Sequence, residues 1–138
     1  MIVGRVTDRP EAVLPLRIPR PNGRCDTIEF VIDTGFSGEL SLPRAQIAAL
    51  ALNRVDVVPV TLADGSQVLV PVFEATIEWG RRSRGVTVLA LESDPLAGIQ
   101  LLVDHTLRVE VVDGGRVTIR KLSNRKPGPG TPSGPARP

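Results

Sequence analysis

The stretch Phe30-Val31-Ile32-Asp33-Thr34-Gly35 joins an apolar run directly to a carboxylate and a glycine. Residues 27–32 suit a central strand, and the loop after them ends it abruptly. A carboxylate at the end of a buried strand is costly to ionise unless the following loop supplies hydrogen-bond donors. Gly35 allows a tight turn that aims backbone amides at Asp33, and Thr34 offers a hydroxyl that can brace the loop. Asp33 is therefore either a functional carboxylate or a residue that only caps its own loop.

The composition around this stretch favours one all-β domain. The chain has 138 residues, enough for a single hydrophobic core, and 41% of them are hydrophobic while 23% are charged. Aromatic residues make up only 3%, so the core has to be built from branched aliphatic side chains that suit strands. This balance excludes a disordered or collagen-like chain. We expect a small barrel or sandwich of short strands with one or two short helices.

The charge divides the chain into a domain and a tail. The formal net charge is +2, yet residues 1–120 carry slightly more acidic than basic side chains. Residues 121–138 carry no acidic side chain, and Pro and Gly dominate their second half. We predict a folded domain over 1–120 and a disordered basic Pro/Gly-rich tail over 121–138. A folded basic face for nucleic acid is not expected.

The chain contains one cysteine, Cys25, and one histidine, His105. An intramolecular disulfide is therefore impossible, and His-based metal, Ser-His and Cys-His schemes have no local signature. We expect no metal and no cofactor, so enzyme chemistry would have to come from carboxylates. The N-terminal residues lack the apolar core of a signal peptide, and no stretch is long and apolar enough to span a bilayer. We accordingly expect a cytoplasmic protein that does not bind membranes.

Local patterns predict the remaining elements. Pro43 followed by good helix formers predicts a helix over 43–50. Asp64-Gly65 between two apolar runs predicts a long hairpin over 55–77. Residues 80–85 hold three arginines and are predicted to be a solvated hairpin tip, while 96–103 favour a short helix. Further strands are predicted at 3–7, 13–18, 86–91, 107–112 and 117–119.

Three classes of protein place an aspartate directly after an apolar strand. Haloacid-dehalogenase-type phosphatases need a second aspartate two residues later, where this chain has Gly35. Actin-like ATPases need two large domains, which 138 residues cannot supply. The third class is that of the aspartic proteases.

The segment Ile28-Glu29-Phe30-Val31-Ile32-Asp33-Thr34-Gly35 resembles the active-site segment of the retropepsin-like (clan AA) aspartic proteases. Its extension Asp33-Thr34-Gly35-Phe36-Ser37-Gly38 is similar to the prokaryotic branch with a DTGF motif. The hairpin at Asp64-Gly65 falls where this family has its flap. The run Leu96-Ala97-Gly98 falls where the family threads two hydrophobic residues and a glycine behind the catalytic loop, and Gln100-Leu101-Leu102 falls at its short C-terminal helix. The resemblance covers residues 1–120.

The resemblance implies an all-β fold, a small closed β-barrel with one Asp-Thr-Gly loop per chain. Aspartic protease chemistry needs two carboxyls that share one proton, so it also implies a homodimer that pairs Asp33 with its symmetry mate. Thr34 and Gly35 would support the paired loops, and the flap at Asp64-Gly65 would close over an extended peptide or protein substrate. Residues 101–106 echo the catalytic segment but lack its glycine, and they are predicted to be a helix-to-strand junction.

Two other functions fit the same scaffold. One is a catalytically silent dimeric module that binds a peptide or a protein. The other is a dimerisation domain whose tail recruits partners. The intact Asp33-Thr34-Gly35 favours the enzyme, and nothing in the sequence identifies a substrate.

Overall fold

A computed structural model of the chain describes residues 1–123. The predicted tail therefore lies outside the described residues from position 124 onward. Residues 1–123 form ten strands, one α-helix, α1 (Arg44–Leu50), and one 3-10 helix (Ile99–Leu102). The strands are β1 (Ile2–Val6), β2 (Ala12–Pro19), β3 (Cys25–Asp33), β4 (Leu40–Leu42), β5 (Asn53–Thr61), β6 (Gln67–Trp79), β7 (Arg82–Ala90), β8 (Leu96–Gly98), β9 (His105–Val109) and β10 (Arg116–Lys121).

All ten strands belong to one sheet, in the order β5-β6-β7-β4-β8-β3-β2-β1-β10-β9. Neighbouring strands are antiparallel except for two parallel pairs, β3 with β8 and β4 with β7. The predicted all-β class is thus confirmed. Within residues 1–123 no strand pairing joins β5 to β9, so the hydrogen-bonded sheet does not close into the predicted barrel. Instead β2 contacts β6, because a twisted sheet of this size folds over to bury one face.

The core lies between the two halves of the folded sheet. Its fully buried members are aliphatic side chains together with Phe30, as the composition predicts. Successive side chains of a strand point to opposite faces of the sheet, so alternate residues enter the core. β2 contributes Leu14, Leu16 and Ile18 in this way, and β7 contributes Val86 and Val88. Each fully buried side chain of this size stabilises the fold by about 1.5–3 kcal/mol.

The predicted helix and hairpin are both present. Pro43 is the N-cap of α1, with φ −62° and ψ 151°, and the helix buries Ile47 and Leu50, three residues apart. β5 and β6 form the long hairpin, and Gly65 in its turn has φ +86°, a conformation that favours glycine. No helix in residues 1–123 is long and apolar enough to cross a membrane.

Three details of the prediction differ from the structure. The segment 96–103 is a strand, β8, followed by the 3-10 helix, because parallel pairing with β3 extends its first three residues. Strand β4 is missing from the prediction, since three residues are too few for alternation to show. The last strand, β10, ends at Lys121, one residue beyond the predicted domain boundary.

The interpretation of residues 80–85 as a solvated hairpin tip is wrong for Arg84. The turn contains only Gly80 and Arg81, and β7 begins at Arg82. Arg84 lies inside that strand, two residues before the buried Val86, so strand alternation points it toward the core face. Its side chain is 26% exposed and makes hydrogen bonds within the domain.

The buried Ser41 of β4 provides a test of the core. Its side chain is fully buried, and its hydroxyl has no hydrogen-bond partner among the described residues. A buried hydroxyl without a partner costs about 1–3 kcal/mol. Ser41→Ala should therefore raise the free energy of unfolding by about 1 kcal/mol, measured by chemical denaturation. Ser83→Ala, at an exposed position of β7, is the control and should change little. A clear loss of stability in Ser41→Ala would show that the hydroxyl is bonded after all.

Candidate active site

Asp33 is the last residue of β3, a strand in the interior of the sheet. β3 pairs with β2 on one side and with β8 on the other, and Asp33 lies opposite Gly98 in the second pairing. The side chain is half-buried. The pairing with β2 ends at Val31, so at Asp33 itself the backbone is held by β8, and the side chain remains partly exposed.

The loop after Asp33 turns back onto the carboxylate. The Gly35 amide donates a hydrogen bond to Asp33 Oδ1 at 2.9 Å, and the Phe36 amide donates to the Asp33 carbonyl at 3.1 Å. This is the contact that the sequence predicts for Gly35. A methyl group at Gly35 would lie 3.2 Å from Asp33 Oδ1, so glycine allows the close approach. Thr34 and Gly35 are both exposed in the single chain, and the structure gives the Thr34 hydroxyl no partner within residues 1–123.

A second segment holds the loop from behind. Leu96, Ala97 and Gly98 form β8, which inserts between β3 and β4. The Ile99 amide then donates to the Phe36 carbonyl at 2.9 Å, and the Gln100 amide donates to the Gly38 carbonyl at 3.2 Å. The structure thus brings Asp33, its loop and the predicted run 96–98 together.

Phe36 contributes to this packing in a way that the sequence interpretation missed. Its ring lies against two glycines: a methyl group on Gly38 would come 2.6 Å from its Cζ, and one on Gly98 would come 2.6 Å from its Cδ2. Both glycines are therefore needed to accommodate the ring. Gly38, two residues after the large side chain of Phe36, is the signal in the sequence that could have indicated this packing.

The β5–β6 hairpin carries the predicted flap residues Asp64 and Gly65 at its tip. Asp64 Oδ1 accepts hydrogen bonds from the Ser66 hydroxyl at 2.6 Å and from the Ser66 amide at 2.9 Å. These bonds hold the pKa of Asp64 below its usual value. The bonds to the ionised carboxylate therefore persist above that lowered pKa and weaken as the pH falls through it. In the described residues, no hydrogen bond or strand pairing joins the tip to the Asp33 loop.

Much of the apolar surface of the hairpin is exposed. Leu62, Val68 and Leu69 are 43%, 41% and 72% exposed around its tip, and most of β5 is exposed as well. The hairpin is therefore a projecting ribbon with apolar side chains at its end.

Within residues 1–123 the structure places no group of three or more His, Cys, Asp or Glu side chains where they could hold a metal ion.

The segment 101–106, which echoes the catalytic motif, is a helix-to-strand junction, as predicted. Asp104 lies between the 3-10 helix and β9, in a left-handed conformation with φ +68°. Asp33 is thus the carboxylate that the fold places at a strand end with a supporting glycine loop.

Comparison with known proteins gives a result at the level of structure. No family model and no curated protein matches the chain by sequence. A crystal structure of a retropepsin-like aspartic protease from Rickettsia conorii superimposes with a TM-score of 0.56, covering 88% of this chain and 89% of that chain. The sequence identity over this superposition is 15%. The chain therefore has a retropepsin-like fold.

Proposed function

We propose that the protein is a homodimeric aspartic endopeptidase that cleaves peptide bonds with a water molecule activated by two Asp33 carboxyls, one from each subunit. One observation carries the proposal: Asp33 ends an interior strand of a retropepsin-like fold, with its carboxylate bonded to the Gly35 amide. A carboxylate that merely capped its loop would not need a second segment, β8, to fix that loop from behind.

The chemistry requires the dimer. One carboxyl of the pair is ionised and takes a proton from water as the water attacks the peptide carbonyl. The other is neutral and donates a hydrogen bond to the developing oxyanion. Each chain supplies one Asp-Thr-Gly sequence. A two-fold axis beside the exposed Thr34 and Gly35 would bring the two Asp33 side chains together, with Thr34 bracing the partner loop.

The flap would supply the contacts to substrate. The β5–β6 hairpin would close over an extended peptide, with Leu62, Val68 and Leu69 as its exposed apolar side chains. We assign the chain to the prokaryotic DTGF-type branch because Phe36 follows its Asp-Thr-Gly sequence. The Phe36 ring would support the loop by packing against Gly38 and Gly98.

Peptide cleavage as a function of pH tests this function. Because only the singly protonated carboxyl pair is competent, cleavage of a diverse peptide library should follow a bell-shaped profile that peaks on the acidic side of neutral. The products are identified by mass spectrometry from about pH 4 to about pH 9. A statine-type transition-state mimic should inhibit best within the same window.

Other outcomes are equally decisive. Cleavage that is flat over this range, or abolished by a metal chelator, would contradict the carboxyl-pair mechanism. Peptide binding without cleavage at any pH would instead establish the silent binding module on the same fold.

A further inference from the structure

Among the three arginines of residues 81–84, Arg84 is the one whose side chain makes contacts within the domain. Its Nη1 donates a hydrogen bond to the Leu101 carbonyl at 2.9 Å, and its Nη2 pairs with Glu39 Oε2 at 3.3 Å. Its Cζ also lies 5.1 Å from the centre of the Trp79 ring, a cation–π distance. The neighbouring Arg81 and Arg82 are exposed.

The Glu39 side chain shares this arrangement with β7. Its other oxygen, Oε1, accepts hydrogen bonds from the Thr87 amide at 2.9 Å and from the Thr87 hydroxyl at 3.2 Å. The Glu39 side chain is 19% exposed, so the carboxylate is held by three donors in a largely desolvated place. The planar fork of the guanidinium can bind a carboxylate and a carbonyl together, which a lysine ammonium does less well.

The ring beneath Arg84 is itself fixed. The Trp79 indole donates a hydrogen bond to His105 Nε2 at 3.0 Å, and His105 Nδ1 lies 2.8 Å from the Val103 carbonyl, to which it donates. Trp79 ends β6, and Val103 directly follows the 3-10 helix. Arg84 is therefore held on one face by an aromatic ring and at its fork by two acceptors.

Both acceptors of Arg84 belong to the segments that support Asp33. Glu39 follows the Asp33 loop, and its carbonyl accepts the Gly98 amide at 2.8 Å. Leu101 lies in the 3-10 helix, whose first residue, Ile99, holds the Phe36 carbonyl. The strand β8 packs tightly against the Asp33 loop, because a methyl group on Gly98 would lie 2.1 Å from the Gly38 carbonyl oxygen.

We propose that Arg84 is a positioning residue for Asp33: its guanidinium clamps Glu39 to Leu101 and thereby fixes the two segments that hold the Asp33 loop. The catalytic consequence rests on the proposed function, whereas the effect on the loop does not. Loss of the clamp leaves Glu39 Oε2 and the Leu101 carbonyl without the donor that Arg84 supplies, so the loop gains alternative positions. Small displacements of a catalytic group reduce turnover by up to about 100-fold.

The experiment compares three variants of the full chain. Arg84→Met keeps the length of the side chain but removes the charge and the fork, Arg84→Lys keeps the charge alone, and Arg82→Met is the matched control at an exposed position of the same strand. We expect kcat to fall by about 10-fold or more in Arg84→Met with little change in KM, and by less in Arg84→Lys. Arg82→Met should match the wild type.

Hydrogen exchange gives a second readout that does not depend on catalysis. The Phe36 and Ile99 amides should exchange at least about tenfold faster in Arg84→Met than in the wild type, while amides of the β2–β3 pair keep their rates. Faster exchange in a chain that cleaves no peptide would support the clamp and contradict the proposed function. Unchanged exchange and unchanged kcat, or equal losses in Arg82→Met, would overturn the clamp. If Arg84→Met does not fold, Glu39→Gln weakens the same contact while retaining an acceptor for Thr87. Its amide exchange rates and its kcat then test the clamp by the same criteria.

Discussion

Replacing Asp33 with asparagine should abolish peptide hydrolysis while leaving the fold intact. The asparagine side chain keeps an acceptor oxygen for the Gly35 amide, which donates to Asp33 Oδ1 at 2.9 Å. It cannot accept a proton from water, so turnover should fall by about 1000-fold or more. The variant is assayed with a peptide that the wild type cleaves. Asp8→Asn makes the same change in an exposed turn and should retain full activity.

Mixing the variant with the wild type tests the shared site. If each active site takes one Asp33 from each subunit, a wild-type chain paired with Asp33→Asn is inactive. An excess of the variant of about tenfold should then reduce the activity of the wild-type chains by about tenfold once subunits have exchanged. Hydrolysis by purified Asp33→Asn at the wild-type rate would place the chemistry elsewhere. Full activity in the mixture would show that a single chain suffices.

Replacing Gly98 with alanine should both destabilise the chain and disable the site. The new methyl group would lie 2.1 Å from the Gly38 carbonyl oxygen and 2.7 Å from that of Phe36, so relief requires backbone movement. Overpacking of this kind costs about 3 kcal/mol. Because the same backbone carries the Asp33 loop, turnover should fall even below the unfolding temperature. Denaturant titration and a peptide assay at low temperature measure the two effects.

Gly85→Ala is the matched control for this substitution. Gly85 also lies in a strand, β7, and a methyl group there would meet nothing within 4 Å. The free energy of unfolding should stay within about 1 kcal/mol of the wild-type value. Equal stability of Gly98→Ala and Gly85→Ala would contradict the tight contact between β8 and the Asp33 loop.

Local chemistry in the sequence was sufficient to predict much of the fold. Alternating apolar residues indicate β2 and β6, Pro43 indicates the start of α1, and Asp64-Gly65 indicates the turn of the long hairpin. The order of strands across the sheet does not follow from such signals. β4 and β8 have three residues each, and their parallel partners lie far away in the chain, so their place depends on pairings that no local pattern encodes.

The sequence predicted the centre of the candidate site and the segment behind it, residues 96–98, but not the contacts of Arg84. The apolar run before Asp33 and the glycine after it indicate a carboxylate with a donor loop, and the structure contains that bond. The clamp at Arg84 was missed because three arginines in a short segment suggest a solvated turn. Counting back from Val86 and Val88 in steps of two would have placed Arg84 on the core face.

The open edge at β5 has a consequence for solubility. An unpaired strand edge with exposed valines offers backbone donors and acceptors to other chains, which is how cross-β aggregates begin. β5 exposes Val55 and Val57 in this way. It also carries Pro59, which lacks an amide hydrogen, and a break in its pairing with β6 between Arg54 and Asp56. These two irregularities make the edge a poor template for a further strand, so the β5–β6 hairpin can remain apolar and exposed without seeding fibrils.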